Sequence, residues 1–486
     1  MIRPDLQTIQ SLASEYKSIP ICREIHADAL TPIALLRKFS ALSKRYFLLE
    51  SVEGGEKWGR YSFIGYDPVM RVCCKENQIM IESRGKCTVT KTRNPYEELR
   101  RIQGDYKSPH ITGMPPFTGG FVGYFGYAMI NYAEPKLSVK RGDSNDFDLM
   151  LFDRVVAYDH LKQKICIIVT IKTDRVAENY RIAMETIDAL EKLIRANTGL
   201  PPSAAQKKVE FECNVSKAEY CALVERAKEY IRDGDIFQVV ISRKFKARYE
   251  SSLLNAYRVL RTTNPSPYMV YMYVDGDEIM STSPETLVRL HKGRLATFPV
   301  AGSRPRGTTD EEDIRLEKEL LADEKELAEH NMLVDLGRND LGKLSAFSSV
   351  QVTDYLAVHR YSTVMHLCSR VESDILPKKD AYDAIEATLP AGTLSGAPKI
   401  RACEIIDALE TEPRGIYGGA LGYVDFTGNM DTCIAIRMAV KKGCEVQVQA
   451  GGGIVADSIP DKEYEESGLK AQAVLNAICQ AAEVDD

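Results

Sequence analysis

No apolar stretch of the chain reaches the roughly 18 residues that a membrane helix requires, and its start, MIRPDLQTIQ, has no apolar core of signal-peptide length. Both absences exclude the membrane-spanning and secretory classes and make a cytoplasmic location the expectation. Basic charge is also lacking. Lys and Arg number 63 against 69 Asp and Glu, a formal net charge of -6, so there is no basic face to attract nucleic acid. No run of like charges is long enough for a tail. The 12 cysteines include no C-x-x-C pair, which leaves them as small core hydrophobes rather than zinc ligands or a disulfide framework. A P-loop, a G-x-S-x-G elbow and an H-E-x-x-H helix are all missing. So are internal repeats and low-complexity tracts.

What is present is the composition of an ordinary globular protein: 486 residues, 44% hydrophobic and 27% charged. Residues 195–208 (RANTGLPPSAAQKK) lack apolar periodicity and read as a linker. The boundaries set on it are an N-terminal region 1–195, a linker 196–213 and a C-terminal region 214–486. Before it, Arg154–His160 and Lys164–Ile171 read as a hairpin, and Val176–Ile194 as a helix. After it, Ser216 and Glu219 form a capping box that starts a helix ending near Gly234. A strand follows over Ile236–Phe245. Three further hairpins are expected. Tyr268–Val274 meets Glu278–Ser281 across Asp275-Gly276, Leu287–His291 meets Leu295–Val300 across Lys292-Gly293, and Ile434–Val440 meets Glu445–Gln449. Helices are expected at Asp323–Arg338, Ala381–Leu389, Pro398–Glu410 and Tyr464–Ala482. The fold class is α+β with large antiparallel sheets.

Five clusters admit a chemical reading beside a plain structural one. Gly451-Gly452-Gly453, after an apolar run, is either a turn or bulge or a backbone surface whose N–H groups bind an anion. Phe298–Gly307 ends in Gly302-Ser303 and two arginines, as a rigid turn or a ligand-admitting loop. In Asp323–Leu341, Glu326, Glu329 and His330 lie within one helical turn, as a solvated face or a site. Ala391–Lys399 is a small-residue loop opening a helix, with Ser395 a candidate cap. Asp457–Glu466 places acids in a helical first turn, which the helix dipole favours in any case.

Taken together and in order, these clusters resemble the chorismate-utilising enzyme family over roughly Val215 to Ala477, and within it the large component of anthranilate synthases. The resemblance implies antiparallel sheets packed as a sandwich with helices outside. It implies that Glu329 and Glu466 hold Mg²⁺, whose remaining positions stay open for substrate and water. Arg437 and Tyr417 correspond to residues that hold the other carboxylate of chorismate. Gly302, Ser303 and Gly451, Gly452 and Gly453 correspond to backbone contacts to it. Glu285, His366 and Thr393 correspond to polar groups around the reacting ring, with Glu285 or His366 as the acid. His366 taken alone also reads as a satisfied core histidine.

Two positions discriminate among relatives. Gln238 stands where isochorismate- and salicylate-forming members carry lysine, and an amide is no base, which points to ammonia as nucleophile. Ala301 stands where aminodeoxychorismate-forming members carry lysine. Amination of chorismate to anthranilate and pyruvate, in tryptophan biosynthesis, is therefore expected. The alternatives are the aminodeoxychorismate reaction and a non-catalytic tryptophan sensor. No amidotransferase nucleophile motif is present, so a separate glutamine amidotransferase subunit is the expected partner. Ser51, in Leu48-Leu-Glu-Ser51, and Pro267-Tyr268-Met269 resemble the family's tryptophan site, which implies feedback inhibition by L-tryptophan.

Overall fold

The computed structural model describes residues 2–51, 59–196, 208–360 and 364–484. Most of the expected linker, residues 197–207, falls outside the described residues. Two large antiparallel sheets dominate, of 13 and 12 strands among the described residues. In the first, Ser18–His26, Lys164–Lys172, Arg154–Asp159, Tyr61–Tyr66 and Arg45–Glu50 lie side by side. They continue directly into Tyr268–Val274, Asp277–Ser283, Met438–Lys442, Glu445–Ile454 and Gln238–Arg248. In the second, Thr286–His291, Met430–Ile434 and Ala420–Asp425 continue into Gly120–Phe125, Phe147–Phe152 and Met70–Lys75. Both sheets therefore contain strands from either side of the linker. The seams are ordinary antiparallel ladders, with Leu48 opposite Tyr271 and Gly123 opposite Gly422.

Strand alternation decides which layer each side chain enters. Phe47 and Leu49 point between the sheets, where they join Phe63, Val122, Phe152, Val270 and Leu421. Leu48 and Tyr271 point outward, under the helices Pro32–Ser40, Val176–Arg195, Leu254–Thr263 and Pro460–Gln480. On the outer face of the second sheet, Phe121 and Leu149 pack with residues of Pro95–Gly104, Glu324–Gly342 and Ala381–Thr388. The result is a sandwich with helices outside.

Several local signals work as read. Ser216 and Glu219 cap each other at Lys217–Arg232. Asp275-Gly276 and Lys292-Gly293 both have positive φ at both residues, the conformation that a tight hairpin needs. Other expectations change. The segment Ile434–Val440 is not one strand: Met430–Ile434 belongs to the second sheet and Met438–Lys442 to the first. Leu295–Val300 is also divided, into Arg294–Thr297 and Val300–Pro305, because Pro299 has no N–H for the ladder. Gly451–Gly453 is neither turn nor bulge but the end of the strand Glu445–Ile454. The last helix begins at Pro460, four residues before Tyr464, since Pro at its first position and acids in its first turn already suit a helix start.

Phe47 is fully buried, with its ring 4.8 Å from that of Phe152 on the opposing sheet. Phe47→Ala is expected to lower unfolding free energy by about 3–5 kcal/mol, read from the denaturant midpoint at unchanged slope. A loss below about 1 kcal/mol would mean that the sheets do not close on this ring.

Candidate active site

Two adjacent strands change sheets at the same level of the sandwich. Asp277–Ser283 leaves the first sheet and re-enters the second as Thr286–His291, while Met430–Ile434 leaves the second and re-enters the first as Met438–Lys442. The bends hold each other: Ile434 N–H donates to Glu285 O at 3.0 Å, Thr282 N–H to Arg437 O at 3.1 Å, and Ser281 Oγ to Ile436 O at 2.8 Å. Glu285 and Arg437 thus sit on neighbouring crossovers, and Arg437 takes a left-handed backbone with φ 45°, rare for a branched or long side chain.

Thr393, in the turn Gly392–Leu394, donates to Glu285 Oε1 at 3.0 Å. Burial pushes the Glu285 carboxyl up to about 7, against the lowering effect of the Thr393 hydrogen bond and the Lys470 charge. A small cavity of about 50 Å³ adjoins Glu285 and Thr393 under Leu333 and Leu336. Ser395 does not cap the following helix as expected. Its hydroxyl donates to Ala391 O, and Pro398 stands at the cap of Lys399–Leu409.

Arg437 is half-buried. It forms no ion pair or side-chain hydrogen bond among the described residues, and burial alone depresses its guanidinium. Its charge also disfavours protonation of His366, whose pKa burial lowers, while the Gly302 carbonyl opposes both. A carbonyl only accepts, so the 3.2 Å contact of His366 Nδ1 with Gly302 O places the proton on Nδ1. Gly302 has φ 74° within an irregularity of the ladder between Val300–Pro305 and Val364–Asp374. Ser303 is exposed there, opposite His366.

The acidic side is built by two helices. Asp323 caps Glu324–Gly342 by accepting from Lys325 N–H and Glu326 N–H. Buried His330 anchors that helix through a 2.6 Å contact of Nε2 with Ser369 Oγ, and this phases Glu326 and Glu329 away from the core. The helix Pro460–Gln480 is held by Arg243 of the strand Gln238–Arg248, which stacks 3.8 Å from the Tyr464 ring and donates to Ser467 Oγ. Glu466 pairs with Lys470 at 2.8 Å. The protein packed around Glu329, then the charges of Glu326 and Glu466, push its carboxyl above the usual range. Glu463 is pushed up likewise by burial and by Glu466. Hard oxygen donors with excess negative charge suit a divalent cation. Among the described residues no three acidic, His or Cys side chains converge as a ready metal cage.

Between these sides runs the glycine strand. A Cβ on Gly451 would stand 2.4 Å from Ile241 O, one on Gly453 2.4 Å from Gln238 Nε2, and one on Gly452 3.0 Å from Glu463 Oε2. Only glycine leaves these groups in place. Gln238 is 4% exposed, and its Oε1 has no hydrogen-bond partner among the described residues. Buried Tyr417 lies beneath Arg414, whose guanidinium is 5.8 Å from its ring.

A second cavity, of about 650 Å³, is lined by Ser51, Pro267, Tyr268 and Met269, together with Glu50, Arg289 and Asp431. It lies at the seam of the first sheet, where Glu50 pairs with Met269. Tyr268 OH donates to Asp431 at 2.7 Å, and its oxygen is 2.9 Å from Thr286 Oγ1, one residue beyond Glu285. Sequence reasoning left Glu463, Lys470, Arg414, Arg289 and Asp431 unassigned. The repeated Glu-x-x-Glu spacing at 326/329 and 463/466, one helical turn each, carried a signal for Glu463. The others have no local signature.

A family profile described as chorismate binding enzyme matches residues 45–476. The chain is 46% identical to anthranilate synthase component 1 of Acetivibrio thermocellus, over 100% of both chains. Among solved structures, anthranilate synthase component I of Streptococcus pneumoniae TIGR4 is 36% identical, with a TM-score of 0.77 over 93% of this chain and 99% of that one. The menaquinone-specific isochorismate synthase of Escherichia coli shares the fold at 20% identity, with a TM-score of 0.71 over 98% and 99%. The protein belongs to the chorismate-binding enzyme family, in the group of the anthranilate synthase component 1 proteins. No helix among its described residues is long and apolar enough to cross a membrane.

Between the unfolded value of about 4.3 and about 7, the folded Glu285 carboxyl keeps a proton that the unfolded chain has released. Stability therefore falls as pH rises through that window. Glu285→Gln is expected to match the parent near pH 4 and to exceed it in melting temperature at pH 8. Thr393→Val is expected to raise the carboxyl's titration midpoint, followed by infrared difference spectra against Glu285→Gln. An unchanged midpoint would mean that the Thr393 bond does not bear on Glu285.

Proposed function

We propose that the protein is the chorismate-converting component of an anthranilate synthase. It uses ammonia to form anthranilate, pyruvate and water. The observation that carries this reading is Arg437, a half-buried guanidinium with no counter-ion among the described residues, in a site whose other side is a cluster of carboxylates. A dicarboxylate substrate would satisfy both: Arg437 would grip one carboxylate, and Glu329 and Glu466 are the residues that would hold a Mg²⁺ able to neutralise the other. Bound there, the cation would neutralise the second carboxylate and the crowded protein acids.

The rest of the chemistry follows from the chain's own groups. With its carboxyl near 7, Glu285 is suited to give a proton to the departing ring hydroxyl as ammonia adds, then to accept one as pyruvate is eliminated. Thr393 aims it. His366 stays neutral with its Nε2 lone pair directed away from Gly302. Gln238 offers a buried carbonyl oxygen with no donor among the described residues, and ammonia is a donor. A lone amide cannot act as a base, and Ala301 supplies no amine. Gly451, Gly452, Gly453 and Gly302 allow the substrate to approach the backbone beside Ser303, and Tyr417 lies alongside. The relatives' designation as component 1 supports a partner component, proposed to be a glutamine amidotransferase that supplies the ammonia. The 650 Å³ cavity suits one amino acid with an aromatic side chain, proposed to be L-tryptophan acting as feedback inhibitor. Its wall bonds to Thr286 beside Glu285, so occupancy can bias the site.

Purified protein with Mg²⁺, chorismate and ammonium at alkaline pH is expected to develop anthranilate fluorescence. A stable amino product without fluorescence, or no turnover, would overturn the reading. Glu466→Gln is expected to lower kcat/KM at least about 10³-fold, or roughly 4 kcal/mol, with the melting temperature kept. L-tryptophan is expected to raise the apparent KM for chorismate in the parent and not in Ser51→Phe. Unaltered kinetics in both would remove the second cavity from regulation.

A further inference from the structure

Arg414 lies outside every contact that the proposed chemistry uses, yet it sits at the centre of the site's scaffold. It is 4% exposed. Its Nε and Nη2 donate to Glu410 at 2.8 and 2.6 Å, Nη2 also to Val240 O at 2.7 Å, and Nη1 to Leu394 O. Glu410 Oε1 in turn accepts from Ser242 N–H and Ser242 Oγ, both at 2.8 Å, and Gln449 donates to that hydroxyl at 2.8 Å. Each of these anchors adjoins a group assigned to the reaction. Leu394 follows Thr393. Val240 lies two residues beyond Gln238 and pairs with Gly453, and Ser242 pairs with Gly451. The guanidinium also lies over Tyr417.

A buried ion pair is a poor stabiliser, because desolvation of both charges offsets their attraction. Its yield here is geometric. A planar fork fixes several acceptors in one set geometry, which the rotatable donors of a lysine ammonium do not. We propose that Arg414, locked by Glu410, is the positioning residue of this active site, holding the Thr393 turn against Glu285 while keeping the Gln238 strand and the glycine strand in register. The proposal rests on the site assignments given under Proposed function. Loss of the fork lets the Thr393 turn drift, and a displacement of about 1 Å is worth roughly 10²-fold in rate. Glu285 also loses the hydrogen bond that lowers its pKa, while the Lys470 charge still lowers it.

The test compares Arg414→Lys, Glu410→Gln, Thr393→Val and the double variant Arg414→Lys/Thr393→Val by ammonia-dependent kcat across pH, with folding checked by circular dichroism and melting. Failure of the parent enzyme to make anthranilate would strike the functional reading rather than this one. Arg414→Lys is expected to fold, to lose about 10²-fold in kcat, and to move the pH limb that disappears in Glu285→Gln upward, as Thr393→Val does. The double variant is expected to fall no further than the worse single variant. Glu410→Gln is expected to lose at least about tenfold with the same direction of shift. A folded variant with parental kcat, or a loss whose pH limb stays put and adds fully to that of Thr393→Val, overturns the proposal. If neither Arg414→Lys nor Glu410→Gln folds, the pair serves the fold and the positioning role is refuted.

Discussion

Neighbouring antiparallel strands cannot leave one sheet for another without breaking ladder bonds, and each broken bond in a buried place must be replaced. Here two strands make that change side by side, and their bends replace the lost bonds mutually, through Ile434 N–H to Glu285 O and Thr282 N–H to Arg437 O. The rest of the site depends on this arrangement. It aims a carboxyl and a guanidinium from adjacent bends, and it forces the left-handed backbone at Arg437. It also brings the second sheet, with His366 and Gly302, next to the first, with Gln238 and the glycine strand.

Charge is distributed unevenly around that centre. The Glu410–Arg414 pair is fully satisfied and buried, so it contributes rigidity and little net field. Among the described residues Arg437 has no such partner, and the acids of the two helices outnumber the lysines beside them. Unbalanced charge at partly buried positions destabilises a protein unless something binds there. The contrast is sharpest between two arginines: Arg414 is locked by Glu410, while Arg437 has no counter-ion among the described residues.

Much of the local architecture was legible in the chain. Asp275-Gly276 and Lys292-Gly293 announce hairpins because few residues tolerate positive φ, and Ser216 with Glu219 announces a helix start. The site residues were legible only jointly, since a glycine triplet, an acidic helix turn or a lone His366 each has a bland explanation. What stayed hidden is non-local. The apolar run through Ile434–Val440 looks the same whether it stays in one sheet or passes between two. The ladder between Arg45–Glu50 and Tyr268–Val274 joins segments more than 200 residues apart, with no pattern in either that names its partner. Arg414 lacks a local signature for the same reason. Beyond Glu410, its acceptors are the carbonyls of Val240 and Leu394, which any residue supplies.

The central claim is that a dicarboxylate bridges Arg437 and a cation at Glu329 and Glu466. A crystal structure of the Glu285→Gln protein with chorismate and Mn²⁺, phased on manganese anomalous scattering, tests it directly. The account predicts an anomalous peak between Glu329 and Glu466 and a substrate carboxylate on the Arg437 guanidinium. Chorismate bound instead in the cavity of Ser51 and Met269, or bound with Arg437 untouched and no manganese at the two glutamates, would contradict it.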